Sequence, residues 1–158
     1  MEKYIVDFLQ KNNMTITTVE SCTGGLIASR IVDVTGASDV FKEGYVTYSD
    51  EAKIKLVDVK RETIDKYNVV SKEVAYEMAS GGAKSACAEV AISVTGVAGP
   101  GGGTEEIPVG TVCIGIFYKG KIYTEKFIFD GDRKEIRQKS ADKAFELLYN
   151  FITNRHIF

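Results

Sequence analysis

Thr17-Thr18-Val19-Glu20-Ser21-Cys22-Thr23-Gly24-Gly25 is the stretch whose reading decides how this chain folds. The β-branched run from Thr15 to Val19 suits a strand, because branched side chains pack well on a pleated surface. Leu26-Ile27-Ala28-Ser29-Arg30-Ile31 can be helical, so Ser21 to Gly25 is the turn between strand and helix. Small polar residues and glycines in such a turn aim backbone N–H groups into one crevice. They also let a ligand approach the main chain closely. Ser21 and Thr23 fall where those donors converge. The same two residues are also good helix caps, and glycine-rich turns of this kind are frequent in α/β folds.

Outward from this turn the chain alternates strand and helix. Tyr4, Ile5, Phe8 and Leu9 recur at helical spacing and predict a helix over 2–12, ended by Asn12-Asn13. The helix after Gly25 runs to about Asp33, and 35–38 reads as a loop. A second strand covers 44–48, with Asp50 as the cap of a short helix over 51–56. A helical segment follows over 61–67, and Ser71 caps a long helix to Ala86. The third strand covers 90–95 and opens into a glycine-rich loop over 96–108. The fourth strand covers 111–118, and Lys119-Gly120 turns it into the fifth at 122–129. Asp132-Arg133-Lys134-Glu135 is a capping box that opens the terminal helix.

The connections set the topology. Strands one, two and three are joined through helices, so right-handed parallel crossovers are expected. Strand four follows a loop without a helix and leads into a hairpin, so it runs antiparallel. The expected fold is one α/β domain over 1–158, a three-layer α/β/α sandwich. Its five-stranded mixed sheet has the order 2-1-3-4-5. Ligands of such sheets bind outside the carboxyl ends of the strands where the winding reverses, here between strands one and three. Ser21, the segment from Tyr48 to Lys53 and the glycine-rich loop all fall on that edge.

Composition removes several classes of function. A net charge of −2 leaves no overall electrostatic footprint for nucleic acid or an anionic membrane. No apolar run approaches the ~20 residues that cross a bilayer, and the acidic, interrupted N-terminus is not a secretory signal. Cys22, Cys87 and Cys113 lie far apart, with neither metal-ligand spacing nor a disulfide framework, which fits the reducing cytoplasm. The only histidine is His156, which argues against a histidine-based dyad or a His-rich metal site.

A serine attacks a carbonyl only when one group accepts its proton and others hold the developing oxyanion. Without a usable histidine, the base is a lysine, a carboxylate or a tyrosine. Lys53 lies one helical turn after the second strand and can point across toward Ser21. To act as base it must fall from ~10.4 toward ~7–8, roughly 4 kcal/mol of desolvation and neighbouring charge. Tyr48 can bridge the two through its hydroxyl. Asp50 and Glu51 read better as first-turn helix acids. Cys22 is a weaker nucleophile candidate, because no histidine exists to pair with it.

The loop from Gly96 through Gly99 and Gly101 to Thr104 is not a Walker A segment and does not fit G-x-G-x-x-G cleanly. Its main-chain N–H groups can still cradle a phosphate or a ribose. Arg133, Lys134, Arg137 and Lys139 crowd the start of the terminal helix, where cations oppose the dipole; a solvated basic face accounts for them, and an anionic partner is the alternative.

Several blocks together resemble the CinA C-terminal domain family. They are Thr18-Val19-Glu20-Ser21-Cys22-Thr23-Gly24-Gly25, the run from Gly44 to Lys53, Val70-Ser71, Gly96-Val97-Ala98-Gly99-Pro100, and Pro108-Val109-Gly110-Thr111. The resemblance covers nearly the whole chain. It implies a three-layer α/β/α fold and a nicotinamide-nucleotide amidase, an amidohydrolase that turns nicotinamide mononucleotide into nicotinic acid mononucleotide and ammonia. It implies no metal and no cofactor, and often a homo-oligomer. Ser21 matches the family's nucleophile, Lys53 its general base and Tyr48 the assisting tyrosine. On that reading Cys22, Thr23, Gly24 and Gly25, or the Gly96 loop, supply the oxyanion donors. Gly96, Gly99 and Gly101, with Arg133 or Arg137, hold the ribose phosphate. Many members carry this domain behind a larger N-terminal one, so a stand-alone form is expected here. Ile107 stands where a lysine is common in the family, and Gly101 where an aspartate is often found. Two other readings remain open at this point: a catalytically silent nucleotide-binding or assembly module, and a serine amidase for a different amide.

Overall fold

Ile16–Glu20 forms β1, and all five of its residues are buried. A strand covered on both faces requires that. In the computed structural model, which describes residues 1–153, the strand sits near the middle of one five-stranded sheet. His156 lies outside the described residues. Glu2–Lys11 is α1, and after β1 come α2 (Leu26–Val32), α3 (Ala37–Val40) and β2 (Tyr45–Val46). Next come α4 (Asp50–Val57), α5 (Arg61–Tyr67) and α6 (Lys72–Ser85). The chain ends with β3 (Val90–Gly96), β4 (Thr111–Tyr118), β5 (Lys121–Ile128) and α7 (Arg133–Ile152).

The sheet order is β2-β1-β3-β4-β5, the order expected from the connections. β1 pairs parallel with β2 and β3, whereas β4 runs antiparallel to both β3 and β5. Alternate residues of β1 feed different layers. Ile16 joins the large apolar cluster packed by α1, α2 and α7, and Val19 joins the cluster under α6. Gly81 lets α6 lie against the end of α4, since a Cβ there would fall 1.7 Å from the Val57 carbonyl oxygen. These contacts give the three layers.

Three local readings are corrected. Residues 35–38 are not all loop, because Gly36 turns with φ 88° and α3 begins at Ala37. The second strand is two residues long, not five. After Val46 the Thr47 N–H still donates to the Glu20 carbonyl at 2.8 Å, and the chain then leaves the sheet. Ser49, not Asp50, caps α4, its Oγ accepting the Ala52 N–H at 3.1 Å. The hydroxyl one residue earlier reaches the N3 amide, which leaves Asp50 as a first-turn acid favoured by the helix dipole. The capping box at Asp132 and Glu135 is present in full.

Candidate active site

β1, β2 and β3 end on the same edge of the sheet, and a crevice of about 410 Å³ opens there. That lies within the ~300–1,000 Å³ usual for small-molecule sites. Ser21 and Cys22 line it from the end of β1, Lys53 from α4, Gly96 from the end of β3, and Gly99 and Gly101 from the loop after it.

Lys53 is among the largest side chains buried almost completely, with 1% of its surface exposed. Its Nζ donates to the Thr47 carbonyl at 2.9 Å and lies 3.1 Å from Ser21 Oγ. The early departure of the chain from β2 is what turns that carbonyl toward the amine. Burial holds the Lys53 amine below its ordinary value, and the carboxylates of Asp50 and Glu51 oppose that shift by their charge. Lysine loses its proton most readily in such a place, and a neutral amine there has its lone pair free for the serine proton. Burial pushes the Cys22 thiol the other way, up to about 11. Cys22 therefore stays a protonated thiol at neutral pH, and the side chain that the Lys53 amine reaches is Ser21.

Glu20 was missed in the sequence. Its side chain is fully buried and accepts three amides: Gly25 at 3.0 Å, Ile27 at 3.0 Å and Ala28 at 2.8 Å. The start of α2, whose amides would otherwise be free for an outside anion, is thus filled by the chain's own carboxylate. A lone acid at the end of a strand otherwise free of charge, just before a helix, was the available signal. The consequence for the turn is direct. Gly25 N–H is taken by Glu20, Gly24 N–H by the Ser21 carbonyl at 3.1 Å, and Ser21 N–H by the Val94 carbonyl at 2.9 Å. Among the described residues, the turn amides left without an acceptor are those of Cys22 and Thr23.

The crevice does not gather every residue marked in the sequence. Thr23, Gly24 and Gly25 are not part of its wall, and the Thr23 side chain is fully buried. Gly24 and Gly25 serve the turn itself, with φ of 58° and 96°. Arg137 does not face the crevice either. Its Nε and Nη2 donate to the carbonyls of Cys22 and Thr23 at 3.1 Å and 2.8 Å, so α7 grips the turn from behind. Arg133 does line the crevice. It donates to the Gly99 carbonyl and to the Tyr48 hydroxyl, both at 2.7 Å, which joins the loop, α7 and the segment after β2. Tyr48 is 61% exposed and accepts from Arg133 instead of bridging Ser21 and Lys53. Among the described residues, no group of three or more His, Cys, Asp or Glu is placed to hold a metal ion, and no helix is long and apolar enough to cross a membrane.

Comparison with known proteins places this geometry among relatives. The family model described as the CinA C-terminal domain matches residues 1–152. A CinA-like protein of Kosmotoga olearia is 50% identical over 148 residues, covering 94% of this chain and 36% of that protein. The chain thus spans about a third of the length of the curated relatives it matches. A solved CinA superfamily protein from Escherichia coli superimposes with a TM-score of 0.92 at 34% identity, over 95% of this chain and 87% of that one. The competence/damage inducible protein CihA from Agrobacterium tumefaciens gives 0.91 at 36% identity, over 94% and 91%.

Proposed function

The chain belongs to the CinA C-terminal domain family, and from that premise we propose that it is an amidohydrolase acting on nicotinamide mononucleotide. One observation carries the reading: a buried lysine amine 3.1 Å from a serine hydroxyl on the wall of a ligand-sized crevice. In a purely structural role, a fully buried lysine without a carboxylate partner is an expensive residue. As a base it needs just that burial.

Lys53 accepts the Ser21 proton while Ser21 Oγ bonds to the carboxamide carbon. The carbonyl π electrons move onto oxygen, and the N–H of Cys22, the crevice-lining turn amide that no described residue takes up, holds that charge. Arg137 braces the turn just beyond that amide, through the carbonyls of Cys22 and Thr23. The C–N bond then breaks, and the Lys53 ammonium returns its proton to the departing nitrogen, which leaves as ammonia. Water adds to the nicotinoyl ester of Ser21, giving its proton to Lys53. Collapse releases nicotinic acid mononucleotide, and the serine recovers its proton. The Thr47 carbonyl holds Nζ in place through both halves. Among the described residues Arg133 has two of its donors engaged and the rest without an acceptor, which suits it to the phosphate at the mouth.

The test is an assay of both products from nicotinamide mononucleotide. Ammonia and the acid nucleotide are expected in equal amounts, with slower release from the dephosphorylated nucleoside. Calorimetric binding of the nucleotide without either product contradicts the reading and leaves a nucleotide-holding module.

A further inference from the structure

Asn68 closes α5 with φ 72° and ψ 152°, a backbone region that only glycine enters freely. Its own amide braces it there, Oδ1 accepting the Val70 N–H at 3.0 Å. Because a backbone N–H can only donate, the oxygen must face it, and Nδ2 is left with two hydrogens. No described residue accepts them. Asn68, Val69 and Val70 line the crevice, and Thr95 Oγ1 ties this wall to β3 by donating to the Val69 carbonyl at 2.9 Å. Asparagine is thus an unfavourable residue for this backbone. What it adds over glycine is one local bond and a free donor pair on the wall of the site.

We propose that Asn68 is a substrate-binding residue, its Nδ2 donating to an oxygen of the sugar-phosphate part of the substrate. The amide end of the substrate belongs at Ser21, which is buried, whereas Asn68 is exposed and reaches the part that lies farther out. This inference rests on the amidohydrolase reading, and its test separates the two.

Asn68→Gly relieves the backbone and removes the donor. Its melting midpoint rises by about 2–6 °C, while KM for nicotinamide mononucleotide rises about 3–10-fold and kcat stays within about twofold. Asn68→Asp keeps the bond to Val70 N–H and the same backbone, but presents a carboxylate in place of the donor. Its midpoint stays near the parent's, and KM rises more than about tenfold. With the nucleoside as substrate, a penalty that persists places the contact on the ribose, and one that disappears places it on the phosphate. A parent KM in Asn68→Gly overturns the inference, because a purely structural Asn68 changes the midpoint alone. A parent protein that releases no ammonia fails the amidohydrolase reading instead. The nucleotide's calorimetric Kd then replaces KM, and an unchanged Kd in Asn68→Gly overturns the inference there too.

Discussion

Lys53 shows what a single residue contributes here. Its amine is held below the ordinary lysine value chiefly by burial, so the folded protein favours the uncharged form that the unfolded chain does not. Unfolding therefore takes up a proton in the pH window between the lowered native value and the ordinary one near 10.5. Through that window the contribution of Lys53 to stability grows as pH rises, and below it the burial penalty is constant and complete. On the proposed reading, turnover follows the same protonation. The rate is expected to climb with pH along a limb whose midpoint lies below that of an exposed lysine. Lys53→Met removes the buried amine, so at neutral pH it is expected to abolish turnover while stabilising the fold by on the order of 1 kcal/mol. Denaturation curves and ammonia release check both halves. A variant that is inactive and also markedly destabilised places Lys53 in the structure more than in the chemistry.

At the scale of elements, the turn between β1 and α2 is held from two sides. Glu20 takes the amides at the start of α2, and Arg137 of α7 takes the carbonyls of Cys22 and Thr23. Glu20→Ala leaves three buried or half-buried amides without their acceptor. The expected loss is at least about 3 kcal/mol, or a midpoint lower by about 6–12 °C. Glu20→Gln keeps one acceptor oxygen and falls between that variant and the parent. Thermal denaturation followed by circular dichroism reads both, and a Glu20→Ala midpoint equal to the parent's contradicts this role. Arg137→Ala frees the turn without touching the crevice wall. On the proposed reading the expected result is a kcat lower by about tenfold with KM little moved, since the turn that carries the oxyanion donor at Cys22 loses its brace. A change in KM alone puts Arg137 on the substrate instead.

Over the whole molecule, the sheet order was legible because connection type dictates strand direction. Helical links make β1, β2 and β3 parallel, and the Lys119-Gly120 hairpin makes β4 antiparallel. The meeting of Ser21 and Lys53 was legible for the same reason, since both follow strands that end on one edge. What stayed hidden depends on side chains reaching across the fold. The sequence pattern marks a basic cluster at the start of α7, but not that Arg133 turns to the crevice while Arg137 turns to the turn. Nor does it reveal that a carboxylate six residues before α2 satisfies that helix from within. Tyr48 sat on the correct edge, yet the two-residue β2 releases the chain early and leaves its hydroxyl with Arg133.

The central claim is that the Ser21 oxygen, relieved of its proton by Lys53, carries the reaction. The rate of ammonia release from nicotinamide mononucleotide by Ser21→Ala, compared with the parent at the same pH, tests it most directly. The loss expected is at least about a thousandfold with the melting midpoint kept. A Ser21→Ala protein that releases ammonia at the parent's rate contradicts it.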